Sequence, residues 1–197
     1  MKRMKDAKTI RRAIEKVQDE KRFEHTLGVA YTATSLAMRY DVPIKDAEIA
    51  GLLHDCAKCM DDDKKIAFCE KHNIAFSDIE RQNPYLLHAK VGSFIAMDTY
   101  HISDTDIINA ILNHTTGRPG MSTLEKIIFV ADYIEPNRKQ APNLAQIRKL
   151  AFMDLDQALL WILKDTLSYL NSIDGEIDPM TQKTYDYYVE TLNKHTK

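Results

Sequence analysis

Apolar residues along the chain recur at intervals of three and four, and strand-like runs that alternate at every second position are missing. That period puts apolar side chains on one face of a helix, so the pattern predicts helix after helix and no sheet. Ile10, Ala13, Ile14 and Val17 mark a surface helix near the start, and Leu27, Ala30, Ala33, Leu36 and Ala37 form the stripe of a longer one over 24–40. Pro43, at a favoured first-turn position, opens the next, through Ala47, Ala50 and Leu53. Ser77-Asp78-Ile79-Glu80 and Ser122-Thr123-Leu124-Glu125 carry the Ser-x-x-Glu capping box, with a weaker version at Ser103 and Asp106. Further helices are predicted over 84–98, 104–113, 123–134, 144 to about 171, and from Asp178-Pro179 to near Asn193. Gly and Pro break the pattern between Thr115 and Gly120, and again between Ser172 and Asp178. With no repeat, low-complexity tract or linker, the economical reading is an all-α fold, one helical domain over residues 1–197.

Composition narrows the partners. A net charge of -2 gives no global field for nucleic acid, although a local cluster can still hold a small anion. No apolar run approaches bilayer length, and the basic first helix lacks the apolar core of a signal peptide. A cytoplasmic protein with no membrane contact is expected. Three cysteines cannot all pair, so reduced thiols are expected. Cys56-Ala-Lys-Cys59 has redox or zinc spacing, but it lacks a second cysteine pair and a βαβ context, and it reads as small residues filling a helix end. Asp61-Asp62-Asp63, followed at once by Lys64-Lys65, reads as a solvated helix start. His72, His101 and His195 lie in polar or terminal sequence, and Trp161 lies in an apolar helix that suits a core or a homodimer face.

Other polar residues are misplaced in a more informative way. His54-Asp55 follows the apolar run Ile49 to Leu53; His88 opens an apolar helix and His114 closes another. Asp132 interrupts Ile127 to Ile134, and His25 lies near the start of the first long helix. Burying any one of these without a partner is costly. Together they share one economical explanation, convergence on a cation. Two His and two Asp form a mixed nitrogen and oxygen set that suits Fe, Mn, Co or Zn. An inert polar network is the alternative.

The order His, His-Asp, Asp resembles the HD-domain superfamily of helical phosphohydrolases over roughly residues 20–140, and implies an HD-domain helical bundle. The framing segments are Arg22-Phe23-Glu24-His25-Thr26-Leu27-Gly28-Val29, Leu87-His88-Ala89, Asn113-His114-Thr115-Thr116-Gly117 and Ala131-Asp132-Tyr133-Ile134-Glu135-Pro136-Asn137-Arg138. They look closely like the YqeK family of bacterial HD hydrolases, and the likeness extends through Asn171 to Pro179 and the Tyr-rich helix beyond. The resemblance implies a symmetrical diadenosine tetraphosphate hydrolase that releases two ADP. It implies His25, His54, Asp55 and Asp132 as metal ligands. Iron is the expected metal, with Mn, Co or Mg as substitutes and a second metal by analogy with dinuclear relatives. Asp55 or Asp132 would orient water, and His88 and His114 would face the phosphates. Substrate contacts are expected from His25, Gly28, Asp55, Lys58, His88, His114, Asp132 and Arg138, and from Ile173, Asp174, Gly175, Glu176, Ile177 and Asp178. The rival readings are a nucleotidase or deoxynucleoside triphosphate hydrolase of the same fold, and a non-catalytic nucleotide sensor.

Overall fold

Caps decide where these helices begin. In the computed structural model, which describes residues 4–173 and 178–195, the Asp19 carboxylate accepts from the backbone N–H of Arg22 at 2.9 Å. That starts α2 (Glu20–Arg39) a turn ahead of its apolar stripe, after a short α1 (Ala7–Ile14). Pro43, expected in the first turn, stands just before α3 (Ile44–Leu53), at the N-cap position and without a side-chain cap bond. Asp61 precedes α4 (Asp62–Lys71), whose first-turn acids sit at the positive end of the helix dipole. Both predicted capping boxes form, at α5 (Asp78–Gln82) and α8 (Thr123–Ile134). No strand occurs among the described residues, as an all-α fold requires.

Several boundaries differ from the sequence reading: α1 ends at Ile14, short of the exposed Val17, and α2 begins at Glu20 rather than at 24. The helix expected over 84–98 is a tight 3-10 turn (Pro84–Leu87) followed by α6 (His88–Asp98), so His88 stands at a junction. Asp104, not Ser103, caps α7 (Thr105–Asn113), its carboxylate accepting from Asp106 at 2.8 Å. The long helix expected from 144 is two, α9 (Leu144–Ala151) and α10 (Leu155–Ser172). Asp154 turns the backbone extended between them and accepts from the N–H of Gln157, which starts the second helix afresh. The chain closes with α11 (Pro179–His195).

Helix α2 packs along α3 and α8, and α7 lies against α3, α6 and α8. Gly51 makes the α2–α3 approach possible: a Cβ there would stand 2.7 Å from the Ala30 Cα. The core between these helices holds Val29, Leu36, Ile49, Leu53, Ile111, Ile127 and Ile128, all fully buried. Leu159 and Ile162 of α10 are buried as well, whereas Trp161 is 41% exposed and belongs to the surface. Helix α11 ties down the loop between α7 and α8: the Tyr188 hydroxyl accepts from the backbone N–H of Met121 at 3.0 Å. Gly117, at φ +65°, lies close under Thr184. Arg118 in that loop makes a two-pronged pair with the buried Glu125 at 2.7 and 2.6 Å. Among the described residues no helix is long and apolar enough to cross a membrane.

Candidate metal centre

Three of the misplaced histidines are set by one local device. His54 ends α3, His114 ends α7, and His88 joins the 3-10 turn to α6. In each, Nδ1 lies close to the carbonyl three residues back: Gly51 at 2.7 Å, Ile111 at 2.7 Å and Tyr85 at 2.6 Å. Carbonyls accept only, so Nδ1 carries the proton and donates. The Nε2 lone pair of each ring is therefore turned inward.

Those lone pairs meet carboxylate oxygens. His54 Nε2 lies 3.6 Å from Asp55 Oδ2 and 4.0 Å from Asp132 Oδ1. His88 and His114 place Nε2 3.3 and 3.5 Å from Asp55 Oδ1, and 3.1 Å from each other. His25, from α2, puts Nε2 3.1 Å from Asp132 Oδ1 and 4.0 Å from Asp55 Oδ2. Its Nδ1 lies 3.2 Å from Glu135 Oε1. Donor atoms of His25, His54 and Asp55, of His54, His114 and Asp132, and of Asp55, His88 and His114 each lie within 4.8 Å of one another.

At its centre this cluster holds chiefly acceptors, with the donors Arg22, Lys58 and Arg138 at its edge. Burial lowers the pKa of His54 to about 4. Burial lowers that of His88 to about 3, with His114 and Lys58 adding to the effect. Both rings are neutral at physiological pH. Burial alone would raise Asp132, but its hydrogen bond from His25 holds it below the usual carboxylate range. His25 differs: burial lowers its pKa, but Asp132 and Glu135, one at each ring nitrogen, raise it further. A proton there satisfies Asp132 and leaves the rest: His54 Nε2 and Asp55 Oδ1 are buried without a hydrogen-bond partner. Orphaned lone pairs converging from imidazole and carboxylate fit a divalent cation.

The remaining expected residues divide. Lys58 Nζ lies 3.4 Å from His88 Nε2, and burial lowers its pKa. Arg138 donates to the Asp132 carbonyl at 2.9 Å and to Oδ1 at 3.2 Å. Gly28 is buried against Glu135, where a Cβ would fall 2.5 Å from Oε2, so its missing side chain makes room for that carboxylate. Ile173 is an exposed residue just past α10, and the Asp178 carboxylate accepts from the Met180 N–H at 2.8 Å. Asp174, Gly175, Glu176 and Ile177 lie outside the described residues.

Three contributors had no role assigned from sequence. Arg22 donates to Asp55 Oδ2 at 2.8 Å, Glu135 orients His25, and the Thr115 hydroxyl lies 3.3 Å from both His88 and His114 Nε2. All three lie inside the motif segments, but periodicity gives no sign that they turn toward the histidines. The cysteines stay peripheral: Cys56 contacts the Gly92 carbonyl and Cys59 is exposed. Two clefts adjoin the cluster. One of ≈ 750 Å³ is lined by Lys21, Arg22, His25, Glu135, Arg138 and Lys139 among others. The other, ≈ 380 Å³, is lined by Lys90, Leu112, Thr115, Asp178 and Lys183 among others.

Residues 22–137 match the HD domain family. A Bacillus subtilis protein named bis(5'-nucleosyl)-tetraphosphatase, symmetrical, is 44% identical over 86% of this chain and 90% of its own. One of the same name from Halalkalibacterium halodurans is 41% identical over 85% of this chain and 88% of its own. A crystal structure from Clostridium acetobutylicum, described as a predicted HD superfamily hydrolase involved in NAD metabolism, is similar at a TM-score of 0.92. It is 39% identical, with 96% of this chain and 100% of that one covered. The chain belongs to the HD domain family, in the branch that includes the symmetrical bis(5'-nucleosyl)-tetraphosphatases.

Proposed function

We propose that this protein is a metal-dependent hydrolase that cuts diadenosine tetraphosphate symmetrically into two ADP. The observation that carries the metal dependence is the buried cluster of inward lone pairs, with His54 Nε2 and Asp55 Oδ1 unpartnered. The substrate follows from relatives of that name at 41% and 44% identity over most of both chains.

In this reading His25, His54, Asp55 and Asp132 hold the metal, with iron as the preferred ion and Mn, Co or Mg as substitutes. Asp55 Oδ1, His88 and His114 form a second triad that suits a second ion or a phosphate. A divalent cation held by His25, His54, Asp55 and Asp132 would lower the pKa of a bound water and polarise a phosphoryl oxygen. The residues do the rest. Glu135 accepts from His25 Nδ1–H and fixes the ring's orientation. Gln18 donates to the Asp55 carbonyl and accepts from Thr26, which pins the backbone at the His-Asp pair. Lys58 and Arg138 supply positive charge to the polyphosphate, and Asp55 or Asp132 orients the water. ADP leaves as a stable anion, so little general-acid help is needed. The clefts beside His25 and beside Thr115 give room for a nucleoside on either side of the cut. Residues 1–197 act as one domain, in the cytoplasm and as a homodimer, and the segment from Ile173 to Asp178 completes the nucleotide site.

His54→Ala tests this reading. Loss of both turnover and bound metal supports it; full activity with unchanged metal content overturns it.

A further inference from the structure

Arg22 sets a cation directly on a buried carboxylate of the metal cluster. Its Nη1 lies 2.8 Å from Asp55 Oδ2, the oxygen that also faces His25 and His54 Nε2. The Asp55 side chain is only 5% exposed, whereas that of Arg22 is 33% exposed. Arg22 lines the ≈ 750 Å³ cleft together with Lys21, Arg138 and Lys139. Its backbone is fixed, because its N–H donates to Asp19 at 2.9 Å. The side chain alone has freedom to turn, and the cleft is where it has room.

A divalent cation bound by His25, His54 and Asp55 and a guanidinium on the same carboxylate oxygen repel each other at short range. The guanidinium then either stays as an outer partner of the ligand carboxylate or turns into the cleft. An arginine turned there meets the polyphosphate, whose geometry a planar guanidinium matches with two parallel hydrogen bonds. We infer that Arg22 is passed from Asp55 to a substrate phosphate when metal binds, serving as a counter-ion without the metal and a phosphate clamp with it. The inference rests on the metal-dependent reading above, and adds that metal loading raises nucleotide affinity in part by freeing this side chain.

The test is calorimetric, on the full chain stripped by chelation, with Mn²⁺ and then ADP as titrants. Wild type, Arg22→Ala and Arg22→Gln are compared, and circular dichroism melting establishes that each is folded. Both variants are expected to bind Mn²⁺ at least about five-fold more tightly than wild type, because a competing charge is gone. In wild type ADP binds more tightly after Mn²⁺ loading, and the variants lose about ten-fold of that gain. Equal or weaker Mn²⁺ binding in both variants overturns the inference, since Arg22 would then be orienting Asp55 for the metal. So does an undiminished Mn²⁺-dependent gain in ADP affinity. Wild type that takes up no Mn²⁺ overturns the inference together with the metal-dependent reading. Wild type that takes up Mn²⁺ while the variants behave unlike these expectations overturns the inference alone.

Discussion

Gly28→Ala separates two roles for a residue that carries no side chain. A new Cβ would stand 2.5 Å from Glu135 Oε2, 3.4 Å from its Cδ and 3.5 Å from its Cβ, so the whole carboxylate has to move. Glu135 is 2% exposed. Its oxygens accept from the Asn137 N–H at 2.6 Å and face His25 Nδ1 at 3.2 Å. Losing a charge-assisted bond to a buried carboxylate costs about 1.5–3 kcal/mol. Alanine's better helix propensity returns up to about 1 kcal/mol. The net loss is about 1–2 kcal/mol, and a chain of this size loses roughly 2–4 °C of melting temperature per kcal/mol. Thermal melting of the chelator-stripped protein should therefore fall by about 2–8 °C. Mn²⁺ affinity should fall about ten-fold, because His25 loses the partner that orients its ring. Unchanged melting and metal affinity, with only a raised KM for diadenosine tetraphosphate, would refute this reasoning and make Gly28 a nucleotide contact.

Gly51→Ala should destabilise more than Gly28→Ala, since the new Cβ meets the Ala30 backbone at 2.7 Å and α2 and α3 must separate; urea denaturation should read a loss of about 3 kcal/mol, at the upper end for overpacking. Glu125→Ala removes the partner of Arg118, Asn113 and the Ser122 N–H, all within 2.6–2.8 Å of its carboxylate. Breaking this buried pair should cost about 3 kcal/mol by the same measurement. An aromatic disulfide reagent at pH 8 should label Cys59 quickly and Cys56 slowly: Cys59 is exposed, while burial, with Asp55 adding, pushes the Cys56 thiol up to about 12 and leaves little thiolate. Rapid labelling of both would contradict the packing around Gly92.

Much of the site was legible because its residues break the pattern around them. His54, His88, His114 and Asp132 each interrupt an apolar run, and an unpaired polar group there is costly enough to demand an explanation. Helix 123–134 was readable to the residue because its capping box and apolar stripe agree. The break at Phe152–Asp154 was not, because apolar spacing continues across it and only the Asp154 cap interrupts the backbone. Arg22 and Glu135 escaped for a different reason. Charged residues at a helix start and a helix end are ordinarily solvated, and only the fold brings Arg22 to Asp55 and Glu135 to His25. Gly28 looked like part of a binding motif, and its packing against Glu135 became visible only when α2 and the end of α8 were brought together. The Nδ1 contacts three residues back are local, and a histidine that ends an apolar helix could have signalled them.

The most direct measurement is product analysis before and after metal is restored. Chelator-stripped protein is incubated with diadenosine tetraphosphate, Fe²⁺ or Mn²⁺ is added, and nucleotides are separated by chromatography. No product is expected before addition, and ADP alone afterwards. ATP with AMP, or ADP released at the same rate without metal, would contradict it.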